Sequence, residues 1–237
     1  PNAGLNSAVS APLTIVDHLS PNFDMREDVT PIDMLVIHYT GMRSGEEALA
    51  RLTDIEWEVS AHYMIEENGR ILRLVAEEHR AWHAGISCWR GHHNINARSI
   101  GIELVNPGHE FGYRPFPEVQ MRALEILATD ILSRYSIPPR NVVGHSDVAP
   151  TRKKDPGELF DWRGLAAKGI GHWPERAAHG PANIMDALSF IGYDIQDYAL
   201  GVATFQRHFR PMEIHGVTDL DTQCWLQGTV ELCKRAG

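Results

Sequence analysis

Cysteine is scarce in this chain: Cys88, Cys224 and Cys233 are the only three in 237 residues. That is too few for a disulfide framework, so free thiols are expected. If Cys224 and Cys233 share one helix, their spacing puts them on opposite faces. Long apolar runs are missing too. No stretch approaches the roughly 20 apolar residues that span a bilayer, which points to a soluble chain. Positive charge is in deficit, with 22 Lys and Arg against 31 Asp and Glu and a formal net charge of -9. General affinity for DNA or RNA draws on clustered Lys and Arg, so nucleic-acid binding is not expected. The one basic cluster is Arg152, Lys153 and Lys154. An initiating methionine is also absent: the chain starts at Pro1, which fits a processed or trimmed protein.

What is present reads as alternating strands and helices. MLVIHY at 34–39 is a short apolar run rich in β-favouring residues and predicts a buried strand with His38 near its end. Ala48, Leu49, Leu52 and Ile55 sit at helical spacing within 46–57. AHYMIEENGRILRLV predicts a hairpin around Asn68-Gly69, a pair that tolerates the positive φ of a tight turn. SIGIELV at 99–105 places Ile100, Ile102 and Leu104 on one face and Gly101, Glu103 and Val105 on the other. Leu124, Leu127, Ile131 and Tyr135 form an apolar stripe, with Pro117 suited to the first turn of that helix. A strand near 141–143 then delivers His145, and a Pro- and Gly-containing loop carries Asp155.

This pattern predicts an α/β fold, a mixed β-sheet flanked by helices, with a small C-terminal three-helix bundle. The expected units are 1–176, with an N-terminal extension 1–30, and 177–237. ERAAHGPAN at 175–183 carries turn residues and reads as the linker.

His38, His145 and Asp155 together read as a divalent-metal site, because imidazole nitrogen and carboxylate oxygen are donors that zinc accepts. Three protein ligands leave a fourth position for a reacting molecule, whereas a structural zinc site is closed by four. Zinc there would lower the pKa of bound water from 15.7 toward about 7. Glu103 is then the candidate proton acceptor and Lys153 the candidate cation for a developing oxyanion. Lys153 lies two residues before Asp155, so extended backbone would send both side chains to one side and Lys154 to the other.

LVIHYT, WHAG at 82–85, SIGIELVN, GHSDVAPTRKKDPG and LFDW resemble, in order, the motifs of zinc-dependent N-acetylmuramoyl-L-alanine amidases of the AmpD/AmiD type. The resemblance covers about residues 30–175. It implies that His38, His145 and Asp155 bind one zinc ion per chain, that Glu103 is the general base and that Lys153 stabilises the oxyanion. The implied reaction is hydrolysis of the amide between the lactyl group of N-acetylmuramic acid and the L-alanine of the stem peptide, with peptidoglycan or muropeptide as substrate. Ala61 before His62, and Asp155 as third ligand, separate this chain from the related phage-lysozyme amidases and peptidoglycan recognition proteins. Trp82, His83 and Asn96 are candidates for substrate contact, with packing and turn formation as competing roles. ALGVATFQRHFRP followed by HGVTDLDT is similar to the three-helix peptidoglycan-binding domain. Such a tail implies an exported enzyme, periplasmic or associated with the outer membrane, with a lipid anchor possible in a removed leader. On that basis, loss of the tail should weaken binding to insoluble wall more than cleavage of small muropeptides.

Two other functions compete. A non-catalytic peptidoglycan-recognition module is disfavoured because no ligand is missing, and a zinc peptidase is disfavoured because there is no HExxH helix signature. His92 and His93 are expected to decorate a loop, and Cys88 to be a packing residue rather than a nucleophile.

Overall fold

The computed structural model describes residues 13–27 and 30–236. Its strands are β1 (Ile15–Asp17), β2 (Phe23–Met25), β3 (Met34–Tyr39), β4 (Tyr63–Ile65), β5 (Ile71–Arg73), β6 (His79–Ala81), β7 (Cys88–Trp89), β8 (His92–His93), β9 (Ser99–Leu104) and β10 (Val142–Gly144). The helices are α1 (Gly45–Thr53), α2 (Ile95–Arg98), α3 (Gly108–Phe111), α4 (Glu118–Arg134), α5 (His145–Val148), α6 (Trp162–Ala166), α7 (Ile184–Ile191), α8 (Tyr198–Phe209) and α9 (Leu220–Ala236). Six strands form one mixed sheet in the order β1-β5-β4-β9-β3-β10. Only β4 and β5 pair antiparallel within it. The expected architecture, a mixed sheet with flanking helices and three C-terminal helices, is the one found.

β3 is apolar almost throughout because β9 and β10 pair with both its edges and both its faces are covered. Leu35 and Ile37 join Ile100, Ile102 and Leu104 under α4. Leu124, Leu127 and Ile131 of α4 are 0% exposed there, and each contributes about 1.5–3 kcal/mol by leaving water. Met34, Val36 and Val143 point to the other face and pack against Leu188, Phe205, Phe209 and Leu226 of the C-terminal helices. Those three helices therefore share one core with the sheet.

Several local details differ from the expectations. The helix predicted over 46–57 ends at Thr53, because the Asp54 side chain accepts from Glu56 N and starts a separate 3-10 turn at Ile55–Trp57. Ile55 is accordingly 54% exposed instead of facing the core. Pro117 caps α4 from outside its first turn. In the hairpin only Gly69 takes positive φ, at 85°. Glu66 N donates to Arg70 O at 2.9 Å, which leaves a three-residue loop in place of a two-residue turn. The N-terminal extension lies partly outside the described residues, but Ile15–Asp17 pairs with β5 as a sheet edge. Arg26 donates to the carbonyls of Asn96, Ala97 and Ser99, so this segment also braces α2 and the start of β9. All three cysteines are free.

Candidate active site

β3, β9 and β10 run parallel, and the site lies at their C-terminal ends, where side chains and loops of parallel sheets converge. His38 is the penultimate residue of β3, and Glu103 on β9 is its register partner. β10 ends at Gly144, so His145 leaves the strand as the first residue of α5. Ser146 N donates to Asp155 O at 2.8 Å, folding the 149–157 loop back onto α5 and bringing Asp155 to the two histidines.

The three predicted ligands meet. His38 Nδ1 and His145 Nδ1 lie 2.9 Å apart, and Asp155 Oδ2 is 3.2 Å from the first and 3.1 Å from the second. A tetrahedron with zinc–donor bonds of 2.0–2.1 Å has edges of about 3.3 Å, so these separations match such a donor set.

The surrounding hydrogen bonds decide which nitrogens carry protons. Ser99 donates its hydroxyl hydrogen to Ile95 O at 2.7 Å, so Ser99 Oγ accepts from His83 Nε2–H at 3.0 Å. His83 Nδ1 is then bare and accepts from His38 Nε2–H at 3.0 Å. His145 Nε2 lies 3.1 Å from Ala84 O, to which it must donate. Both histidines are thereby left with a lone pair on Nδ1. Two lone pairs and a carboxylate oxygen crowded together repel one another, and a cation is the group that reconciles them. The residues present therefore fit a divalent metal.

Charge states agree. Burial, followed by the neighbouring His145, pushes His38 down to about 4, so it is neutral at pH 7. Burial opposes the charge on Asp155, yet the imidazoles of His145 and His38 hold its carboxyl well below the usual range. A neutral imidazole and an ionised carboxylate are the protonation states that bind metal.

Glu103 shares the face of His38. Burial, then Asp155, raises its carboxyl well above the ordinary range, while Lys153 opposes the rise. Glu103 Oε2 is buried without a hydrogen-bond partner among the described residues. Lys153 lines the same cavity of about 440 Å³ as Glu103, His145 and Asp155. Lys154, expected to point away, also borders that cavity, because turns at 151–152 and 155–156 replace the extended backbone that the alternation requires. Tyr39, Met42, Arg51 and Trp82 line it as well.

The three candidates for substrate contact divide. Trp82 and His83 line the cavity, Trp82 only partly buried. His83 stands behind His38 with both ring nitrogens engaged. Asn96 is not among the cavity residues; its Oδ1 accepts from the backbone N–H groups of His83 and Ala84 and so fixes the turn that supports both metal-facing histidines.

Other supports escaped the sequence reading. Gly101 leaves the space that the His83 ring fills, since a Cβ there would lie 2.5 Å from the ring. Asp147, 1% exposed, caps α5 by accepting from Gly144 N at 2.7 Å. It also accepts from Tyr193 Oη at 3.0 Å and His208 Nδ1 at 2.8 Å. Two residues of the C-terminal unit thus anchor the helix that begins with His145. The carboxylate inside GHSDVAP was the available sequence signal, but its partners are 46 and 61 residues away.

Comparison with known proteins agrees with this geometry. The family model described as N-acetylmuramoyl-L-alanine amidase, Amidase_2, matches residues 28–158. The chain is 42% identical over 231 residues to N-acetylmuramoyl-L-alanine amidase AmiD of Escherichia coli K12, covering 84% of this chain and 83% of the relative. It is 36% identical over 161 residues to 1,6-anhydro-N-acetylmuramyl-L-alanine amidase AmpD of Haemophilus influenzae, covering 60% of this chain and 85% of that protein. Among solved structures, E. coli AmiD in complex with anhydro-N-acetylmuramic acid-L-Ala-D-gamma-Glu-L-Lys superposes with a TM-score of 0.75 at 41% identity, covering 88% of this chain and 92% of that one. AmpDh3 of Pseudomonas aeruginosa gives a TM-score of 0.79 at 34% identity, covering 87% and 94%. With the ligand geometry, the fold and these relatives in agreement, the chain belongs to the Amidase_2 family of N-acetylmuramoyl-L-alanine amidases.

Proposed function

We propose that this enzyme hydrolyses the amide between the lactyl carbonyl of N-acetylmuramic acid and the L-alanine of the stem peptide, in peptidoglycan or its soluble fragments, during cell-wall turnover. The observation that carries the reading is the convergence of two bare Nδ1 atoms and one carboxylate beside Glu103, whose buried Oε2 has no hydrogen-bond partner among the described residues. In this reading His38, His145 and Asp155 hold a single zinc ion. When bound, zinc lowers the pKa of a water molecule and polarises a carbonyl oxygen.

The remaining work falls to side chains of this chain. Glu103 takes a proton from the attacking water and returns it to the departing alanine nitrogen, so that a carboxylate and a free amine result. Burial and Asp155 raise its pKa, which strengthens it as a proton acceptor. Lys153 presents its ammonium to the oxygen on which negative charge develops. Trp82, on the cavity wall, offers an apolar face to the substrate, while His83 and Asn96 keep the ligand cage in shape.

The relatives solved with anhydro-muropeptides make a muropeptide the favoured substrate class, and wall chemistry favours action in the periplasm. No described helix is long and apolar enough to cross a membrane. We assign residues 1–176 to the catalytic unit and 177–237 to a helical unit that braces α5; its motif resemblance adds contact with wall polymer. Mass analysis after incubation with a muropeptide tests the reaction. An amidase releases the whole stem peptide and leaves a sugar without amino acids. Cleavage within the stem, or undiminished turnover of the metal-stripped protein, would rule the proposal out. Glu103→Ala separates enzyme from recognition module, since only an enzyme loses its essential step while still binding metal and ligand.

A further inference from the structure

A second group of donors with zinc-like chemistry lies away from the amidase site, where the hairpin of β7 and β8 meets the loop after α7. Cys88 and His93 are direct cross-strand partners in that hairpin. Three contacts hold the loop against it. Arg90 N donates to Gly192 O at 2.8 Å, the rings of Trp89 and Tyr193 meet edge to face at 5.1 Å, and Gly192 backs so closely onto Trp89 that an added Cβ would lie 2.7 Å from its ring. Asp194 is thereby delivered to the hairpin. Cys88 Sγ, a ring nitrogen of His93 and a carboxylate oxygen of Asp194 all lie within 4.8 Å of one another.

We propose that Cys88, His93 and Asp194 form a second divalent-cation site, taking zinc or a similar borderline-soft ion, which staples the hairpin of the catalytic unit to the C-terminal helices. Sulfur, imidazole nitrogen and carboxylate oxygen are the three donor types zinc accepts, and three protein ligands leave room for water. Binding forms a metal–thiolate bond and releases the thiol proton to solvent, so occupancy rises with pH. None of the three residues lines the catalytic cavity, so this site and the amidase reading stand or fall separately.

Cobalt titration of the full-length, metal-stripped protein gives the test. The His38, His145 and Asp155 set contains no sulfur, and Cys224 and Cys233 are only 1% and 2% exposed. A near-ultraviolet thiolate-to-cobalt charge-transfer band therefore reports Cys88. The expected result is two ions per chain, one of them producing the band. Cys88→Ser should abolish the band and bind one ion. His93→Ala should weaken the band-forming ion by at least about tenfold, since even lost support around a ligand costs 10–100-fold. Absence of the band at saturation, its survival in Cys88→Ser, or unchanged affinity in His93→Ala overturns the proposal.

Discussion

Replacing Gly101 by alanine adds one carbon to β9 at a place where the structure has no room for it. The new Cβ would lie 2.5, 2.6 and 2.7 Å from three atoms of the His83 ring, whereas ordinary contact begins near 3.4 Å. The ring must retreat by about 0.9 Å, but hydrogen bonds of 3.0 Å to His38 and 3.0 Å to Ser99 hold it from both ends. Overpacking of this kind costs about 1–3 kcal/mol, and loss of one buried hydrogen bond about 1–3 kcal/mol more. The sum, about 2–6 kcal/mol, corresponds to a fall in Tm of roughly 4–24 °C for a chain of this size. Because the displaced ring no longer fixes the proton on His38 Nε2, zinc affinity should also fall by about 10–100-fold. Thermal unfolding of the metal-free protein measures the first effect and competition with a chelator the second. A Tm within about 1 °C of the parent, together with unchanged zinc affinity, would refute the claim that His83 is locked between Ser99 and His38.

Glu103→Gln should lower kcat by about 10²–10⁴-fold while zinc content is retained, since only the proton acceptor is removed; single-turnover kinetics with metal analysis check this. In the metal-free protein the Glu103 carboxyl holds its proton more tightly when folded than when unfolded. Between the ordinary value of 4.5 and the raised one, the unfolded state gives up its proton first, so the Glu103 contribution to stability declines as pH rises through that window. Glu103→Gln removes this loss, and the metal-free variant should gain Tm over the parent at neutral pH but not at pH 4. Tyr193→Phe deprives the buried Asp147 of one donor and should cost about 1–3 kcal/mol in urea unfolding, against no change if Asp147 does not anchor α5. Deleting residues 178–237 removes the cover over Met34, Val36 and Val143, so cleavage of soluble muropeptide should fall along with wall binding. A truncated protein that stays soluble and fully active would show the tail to be dispensable for the site.

The parts of this fold that were legible in sequence are those encoded by local pattern. MLVIHY and SIGIELV became the adjacent strands β3 and β9 because a short β-branched and apolar run buried on both faces has few alternatives. The alternation within SIGIELV also placed Glu103 correctly opposite the face covered by α4. Where a side chain competes for the backbone, pattern was less informative: Asp54 ended α1 ahead of Ile55 although the apolar spacing continued. Long-range partnerships left no local trace. The Ser99–His83–His38 chain joins residues from three strands or their edges, and nothing in WHAG marks its histidine as a buttress instead of a substrate contact. The C-terminal helices were recognised as amphipathic, but amphipathicity does not say what a helix covers. Their apolar faces close over the sheet as well as over one another, and so the tail became part of the site's support.

The most direct measurement of the central claim is anomalous diffraction at the zinc edge from crystals of the zinc-loaded protein. The account predicts an ion coordinated by His38 Nδ1, His145 Nδ1 and Asp155 Oδ2, with its remaining position left to solvent or substrate. An ion bound through the Nε2 atoms, a fourth protein donor completing the shell, or no ion at these residues would contradict it.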